Sequence, residues 1–300
     1  MAVDAVRRFS RFYTNSIGLL NEGLLDTPYS LSEGRVIFEL AQRDSTEVAE
    51  LRRTLDVDAG YMSRILARFE DDGLVTREWA HDDARRQVIS LTRKGRAAFK
   101  TLDKRSAAEI HELLERVPRA NRDQLVDALR TVELLLGDQP HGEVRLRQPR
   151  AGDYGWVVER HGALYAAEYG WDETFEGLVA TIVGAFAQEH DPQRERGWIA
   201  ELDGVRVGCV FCVRKTDDVA QLRILLVEPT SRGAGVGTKL GDACIDFART
   251  AGYRELVLWT NDVLHAARRI YERAGFRLVD EAPHHAFGKD LVEQNWSLPL

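Results

Sequence analysis

Apolar and polar positions alternate with several different periods along this chain, and the clearest change of period lies between Leu222 and Ala251. Leu222 to Val227 is an apolar run rich in strand-favouring residues, and it stops at Glu228-Pro229. A loop with three glycines (Gly233, Gly235, Gly237) comes next, and apolar residues then recur at helical spacing: Leu240, Cys244, Phe247, Ala251. A strand that turns through glycines into a helix N-terminus gathers unpaired backbone N–H groups at the positive end of a helix dipole. That pattern predicts a phosphate site, because several donors converge on one anion. Around it the spacing predicts a strand at 143–147, helices from Asp153 to Glu168 and on to Glu189, and strands at 197–202 and 206–214. Asp203-Gly204 joins those two strands as a type I′ hairpin signal. A strand at 255–260, a helix at 262–274 and strands at 276–280 and 288–298 complete the order βααβββαβαββ.

The first part of the chain is patterned differently. Helices are predicted at 4–21 and 32–42, the second with Ser32 as its N-cap, then a short helix from Ser45 to Leu55. Asp56-Val57-Asp58 makes a turn, Asp58 caps a helix at 59–72, and Gly73 ends it. Two short helices about a tight turn form a helix-turn-helix. At about 100° per residue, Met62, Ile65, Leu66 and Phe69 share one arc of the 59–72 helix, while Gly60, Ser63, Arg64, Ala67 and Arg68 lie opposite. Small residues let a helix approach a duplex closely, and arginines reach guanine edges or phosphates. A hairpin comes after it (74–79 and 87–91) with Arg85 and Arg86 at its tip, in reach of a minor groove. Long apolar-striped helices are predicted from Thr92 to Arg116 and from Asn121 to Leu136. Gly137 and the polar stretch 138–142, with its proline and second glycine, read as a short linker. The expected domains are therefore 1–137 and 143–300.

Composition adds bounds rather than a function. The 300 residues are 44% hydrophobic and 30% charged, as expected of a globular chain with cores. Met1-Ala2-Val3-Asp4 lacks an apolar signal segment, and no run of about 18 apolar residues occurs. Three cysteines form no disulfide framework, and Cys209 and Cys212 are spaced to opposite faces of a strand. The expectation is a cytoplasmic chain with no membrane partner and no metal. The net charge of −7 looks wrong for a nucleic-acid binder until it is localised: residues 85–105 hold eight Lys/Arg against Asp103 alone. Binding DNA needs a basic face, not a basic protein.

The glycine loop Arg232-Gly233-Ala234-Gly235-Val236-Gly237 reads R-x-x-G-x-G. A dinucleotide-binding loop needs its third glycine later, and a P-loop needs Gly-Lys-Ser/Thr where this chain has Gly237-Thr238-Lys239. Taken alone, the spacing also suits a tight structural turn. Paired with Ala267-x-x-x-Tyr271-x-x-x-Gly275-Phe276, it resembles the GNAT superfamily of N-acetyltransferases from about Glu143 onward. Gly73-Leu74-Val75, Asp83-x-Arg85 and Leu91-Thr92-x-x-Gly95 resemble the MarR family of winged-helix regulators over about 1–137.

The two resemblances together imply a MarR-like winged helix-turn-helix domain followed by a GNAT-like α/β domain with a mixed central sheet. They imply acetyl-CoA held by Arg232, Gly233, Ala234, Gly235, Val236, Gly237 and Thr238, with the strand end Leu225, Leu226, Val227 pairing with the pantetheine arm. Tyr271 matches the proton donor to the thiolate. Leu264 stands where the family often has Asn, so Asn261 is the candidate to reach the cofactor instead. The acceptor is a small-molecule or protein amine, and Tyr165, Tyr169, Trp171 and Phe175 favour a small, partly apolar one. Glu168, Glu189, Glu201 and Arg223 lie near plausible acceptor surfaces, and His284 and His285 read as polar turn residues. The MarR resemblance implies a homodimer on operator DNA, with Ser63, Arg64, Arg68, Arg85 and Arg86 in contact. Two functions stay open: a regulator that is also an acetyltransferase, or one whose second domain senses acetyl-CoA or a ligand without turnover.

Overall fold

A computed structural model of the chain describes residues 1–17, 24–79, 86–137 and 142–300. It divides into two compact units, Met1–Arg122 and Asp123–Leu300.

The first unit comprises α1 (Ala2–Ser16), α2 (Leu31–Ala41), β1 (Thr46–Glu47), α3 (Val48–Leu55), α4 (Ala59–Asp71), β2 (Val75–Trp79), β3 (Gln87–Leu91) and α5 (Arg93–Glu115); α6 (Arg119–Leu136) straddles the division. Helix α2 begins one residue earlier than its predicted start. Ser30, not Ser32, is its cap, in a reciprocal box where Ser30 Oγ accepts from the Glu33 amide and Glu33 Oε2 from the Ser30 amide. The turn between α3 and α4 forms as its residues imply. Asp56 takes the left-handed conformation (φ 48°), and Asp58 Oδ1 accepts from the amides of Gly60 and Tyr61 at 2.8 and 3.1 Å. Thr46 and Glu47, predicted as the start of a helix, instead form a strand paired with Val88 and Ile89, so the sheet order is β1-β3-β2. Val36, Ile37, Leu40, Met62, Leu66 and Phe69 are buried at the centre of this unit.

The second unit is a mixed sheet in the order β4-β5-β6-β7-β8-β10-β9. Its strands are β4 (Arg145–Arg147), β5 (Arg196–Leu202), β6 (Val205–Arg214), β7 (Val219–Val227), β8 (Glu255–Asn261), β9 (Arg277–Ala286) and β10 (Lys289–Pro299). Helices α7 (Asp153–Tyr169) and α8 (Glu173–Glu189) bury their apolar residues with one face of the sheet; α9 (Val236–Thr250) and Tyr271 of α10 (His265–Ala274) bury theirs with the other. Cys209 and Cys212 join opposite clusters, as their spacing requires. All pairings are antiparallel except β7 with β8, which run parallel only from Val219↔Glu255 to Leu222↔Leu258. Beyond Leu222 the two strands part. Ile224 sits at φ +55° within a register shift against β6, a bulge that turns the rest of β7 away from β8. The last hairpin is longer than its predicted strands, so His284 and His285 lie in β9 rather than in a loop. Among the described residues no helix is long and apolar enough to cross a membrane.

His161 of α7 is buried at 2% exposure, with its ring stacked on Tyr165 and its Nδ1 2.8 Å from the Val157 carbonyl oxygen. The ring is assigned as neutral with Nδ1–H donating. Burial pushes its pKa down from 6.5 to about 4. The unfolded chain takes up a proton near pH 6.5 that the folded chain refuses, so stability is full above that pH and falls toward pH 4. We expect this group to remove about 2 kcal/mol between pH 7 and pH 5. Denaturant unfolding followed by tryptophan fluorescence tests it, since five of the six tryptophans lie in the second unit. His161→Leu should flatten the pH dependence by that amount; an unchanged slope would refute it.

Candidate active site and the helix-turn-helix surface

The loop after β7 opens a cavity of about 370 Å³. Helix α9 starts at Val236 with Gly235 at its N-cap, and no side chain accepts from its first amides. Those amides therefore keep free donors. Gly233 (φ +86°) and Gly235 (φ +77°) adopt the left-handed conformation, and a Cβ built on either meets nothing within 4 Å. The backbone needs glycine there, and the space above it is open. Gly237 has a different reason: its Cβ would lie 2.5 Å from Ile270 Cδ1, so glycine lets α9 approach α10. Leu225, Leu226, Val227, Arg232, Gly233, Gly235, Val236, Gly237 and Thr238 all line this cavity; Ala234 does not.

Three further features shape the cavity, of which only Glu168 was a candidate from the sequence. Ser231 is fully buried, and its Oγ has no hydrogen-bond partner among the described residues. Arg269 and Arg273, on exposed positions of α10, add two cations to the wall. Glu168 also lines it and pairs with Arg232 at 2.8 Å. Arg160 holds Glu228 through two nitrogens at 2.6 and 3.0 Å and so ties α7 to the end of β7. The helical pattern alone does not reveal these long-range pairs.

A second cavity of about 250 Å³ adjoins the first, with Tyr165, Leu225, Leu264 and Ala267 common to both. Tyr271 lines this second cavity at 6% exposure, and burial pushes its hydroxyl above the usual tyrosine range. Asn261 lies here and not in the loop cavity. Its Oδ1 is 2.8 Å from His284 Nε2, while its Nδ2 is buried without a partner among the described residues. The aromatic wall comes from Tyr165, Trp171 and Phe175, with ring centroids 4.6–5.0 Å apart. Tyr169 contributes to the first cavity. Arg223 lines the second. Glu201 is bound to Arg147 at 2.7 Å and Glu189 is exposed at the end of α8; neither lines these two cavities. Among the described residues no group of three or more His, Cys, Asp or Glu is placed to hold a metal ion.

In the first unit, Met62, Ile65, Leu66 and Phe69 of α4 are buried, whereas Ser63, Arg64 and Arg68 are exposed. Arg64 is free to project, its guanidinium 5.7 Å from the Tyr61 ring centre. Arg68 is otherwise engaged: it pairs with the buried Glu33 at 2.6 Å and ties α4 to α2. Arg86 pairs with Glu47 at 2.6 Å, and Lys94 donates to the Asp72 carbonyl at 2.6 Å. Arg85 lies outside the described residues. Part of the basic run is therefore structural. No residue of α1 or α6 is buried, and Val6, Phe9 and Phe12 expose 45–67% of their surface.

Comparison with known proteins places these features in families. Residues 163–276 match the acetyltransferase (GNAT) family, and residues 29–87 match the MarR family. N-acetylaspartate synthetase from Xenopus tropicalis is 37% identical over 89 residues, covering 29% of this chain and 33% of that protein. Its counterpart from Danio rerio is 40% identical over 85 residues, covering 28% and 30%. This chain thus spans about a third of the length of these relatives. Solved structures with a similar fold include the protein yncA from Salmonella typhimurium with its cofactor acetyl-CoA (20% identity, 52% of this chain and 94% of that one, TM-score 0.43). Another is a GCN5-related N-acetyltransferase from Kribbella flavida (22% identity, 52% and 98%, TM-score 0.43). The chain therefore carries a MarR-family segment in its first unit and an acetyltransferase domain of the GNAT family in its second.

Proposed function

We propose that this chain transfers the acetyl group of acetyl-CoA to an amine and binds operator DNA as a homodimer. The observation that carries the enzymatic half is the uncapped start of α9, opening on a cavity that runs along the end of β7 where it no longer pairs with β8. The site fits the donor substrate. Free amides of Val236 to Thr238, the open space over Gly233 and Gly235, and Arg269 and Arg273 all suit phosphates. The β7 edge from Leu225 to Val227, unpaired with β8, offers backbone partners to an extended amide-bearing arm.

Acetyl-CoA supplies an acetyl carbon activated as a thioester. The amine nitrogen bonds to that carbon, the C–S bond breaks, and the thiolate takes the proton held by Tyr271. Burial keeps that hydroxyl protonated at neutral pH; the proton lost by the nitrogen passes to solvent, and Tyr271 regains one from solvent before the next turnover. Tyr271 and the acceptor share the second cavity, beyond the point where β7 leaves β8. The DNA-binding half rests on α4, where Ser63 and Arg64 stand exposed opposite a buried apolar face. The exposed apolar residues of α1 and α6 suit burial against a second copy.

Gly235→Glu should abolish acetyl-CoA binding, since a side chain and a negative charge would fill the phosphate site. Unchanged affinity by calorimetry would overturn the loop assignment. Tyr271→Phe should lower kcat on the order of 10²-fold with acetyl-CoA affinity retained; an unaffected rate would leave Tyr271 a packing residue. For DNA, anisotropy at two salt concentrations against the upstream DNA of the chain's own coding sequence should show salt-dependent binding. Arg64→Ala should weaken it by about 1–3 kcal/mol with relaxed preference at one position per half-site. Arg68→Ala should also lower the stability of the first unit, because it leaves the buried Glu33 without its cation. Salt-independent affinity would remove the DNA-binding half of the proposal.

A further inference from the structure

The cavity beside Tyr271 has an electrical asymmetry that the transfer chemistry does not explain. Arg223, on β7 just before the bulge at Ile224, is half-buried and lines this cavity. Its side chain has no ion pair or hydrogen bond among the described residues, and no carboxylate lines the cavity with it. Other partly buried arginines of the second unit have partners: Arg147 pairs with Asp153 and Glu201, Arg160 with Glu228 and Arg206 with Asp153, Arg194 and Arg268 donate to backbone carbonyls, and Arg196 lies over the Phe247 ring. The nearby Glu293 is turned to Trp259, whose Nε1 donates to it at 2.8 Å, and does not line the cavity. Burial alone lowers the Arg223 pKa, with no opposing carboxylate. Withdrawing a guanidinium part-way from water without a partner has a cost, and the position suits an anion that arrives with a ligand.

Two further groups in the same cavity lack partners. Asn261 Nδ2 is a buried donor and His161 Nε2 a buried acceptor. With Nδ1–H donating to Val157, the neutral His161 ring presents a lone pair at Nε2. A cation and an amide donor ask for a carboxylate; a lone pair asks for an N–H. Both are found on one small molecule, an amino acid. The remaining walls are apolar, with Trp171, Phe175, Leu178 and Ile182 among them. Arg223 is the one cation lining the cavity among the described residues, which leaves nothing to neutralise a second carboxylate.

We propose that the acetyl acceptor is a free amino acid with an apolar side chain, its α-carboxylate held by Arg223 and the Asn261 amide, and its amine presented toward Tyr271. This rests on the acetyltransferase reading above and adds the acceptor class. Arg223 acts as a specificity-determining residue: the carboxylate it holds lies two bonds from the reacting nitrogen, and Leu225 is only two residues along the strand, on the order of 7 Å.

The test uses the full-length chain with acetyl-CoA and follows thiol release with L-phenylalanine, L-leucine, L-aspartate, L-phenylalaninamide and phenethylamine. The expected result is a kcat/KM for phenylalanine or leucine at least about 50-fold above that for the amide, the decarboxylated amine and aspartate. Arg223→Gln should lower kcat/KM for the carboxylate acceptor on the order of 10²-fold and bring the acid-to-amide ratio close to one, with acetyl-CoA affinity unchanged. Arg223→Lys should restore part of the preference. Should Arg223→Gln fail to fold, the parent ratio and the Lys variant decide the matter. Equal use of acid and amide by the parent, a ratio that survives Arg223→Gln, or turnover of none of these amines with acetyl-CoA still bound would overturn the acceptor class alone. Absence of acetyl-CoA binding by calorimetry would instead remove the acetyltransferase reading.

Discussion

The parting of β7 from β8 is the constraint on which the second unit depends. A parallel pair of strands normally satisfies its backbone along the full length and leaves no room for a ligand. Here the ladder ends at Leu222↔Leu258, and the bulge at Ile224 re-aims the remainder of β7. The freed edge of Arg223 to Val227 becomes the common wall of two cavities, with the uncapped N-terminus of α9 at one end and Tyr271 at the other. Backbone donors and acceptors left over by the sheet are thus available to an extended ligand. The Cys209 thiol, which donates to the Ile224 carbonyl at 3.3 Å, supports the strained residue from the neighbouring strand.

Around that opening the polar groups fall into two sets. One set is fully engaged and fixes geometry: Arg160 with Glu228 clamps α7 to the strand end, and Arg147 with Asp153 and Glu201 fastens β4 to β5 and the start of α7. The other set is buried or half-buried and unpaired: Ser231 in the donor cavity, Asn261, His161 and Arg223 in the other. Folding alone rarely leaves such groups idle, because each unpaired buried polar atom costs about 1–3 kcal/mol. In these two cavities they are the polar groups that a ligand would complete; Arg194 Nε and Arg268 Nε are buried without a partner elsewhere in the unit.

Short-range sequence signals account well for what is local in the structure. Asp58 and Gly73 bound α4, the buried arc of that helix matches its period, and the three glycines mark the loop. Ser30 was legible too, since Ser30-x-x-Glu33 has the capping-box spacing that Ser32 lacks. Other features were not local. Thr46 and Glu47 are held as a strand by β3, some forty residues on, and two residues carry no period of their own. Strand β9 is largely exposed at the sheet edge, so it shows no apolar alternation, and His284 and His285 read as a turn. Arg68 looked like a free surface cation because its partner, Glu33, lies thirty-five residues away.

The turn that joins β9 to β10 reaches back to the link between α7 and α8. Phe287 packs on Trp171 and Phe175 at 4.7 and 5.0 Å between ring centres, and its carbonyl accepts from the Asp172 amide. Strand β10 then inserts between β8 and β9, so the edge strand has no neighbour until β10 arrives. During synthesis the glycine loop and α9 emerge well before this closure, whereas Phe287, which packs against the aromatic wall of the second cavity, emerges only after α10 and β9. A ribosome-bound chain would thus hold the elements for gripping a phosphate-bearing donor before it had a completed chamber for an acceptor.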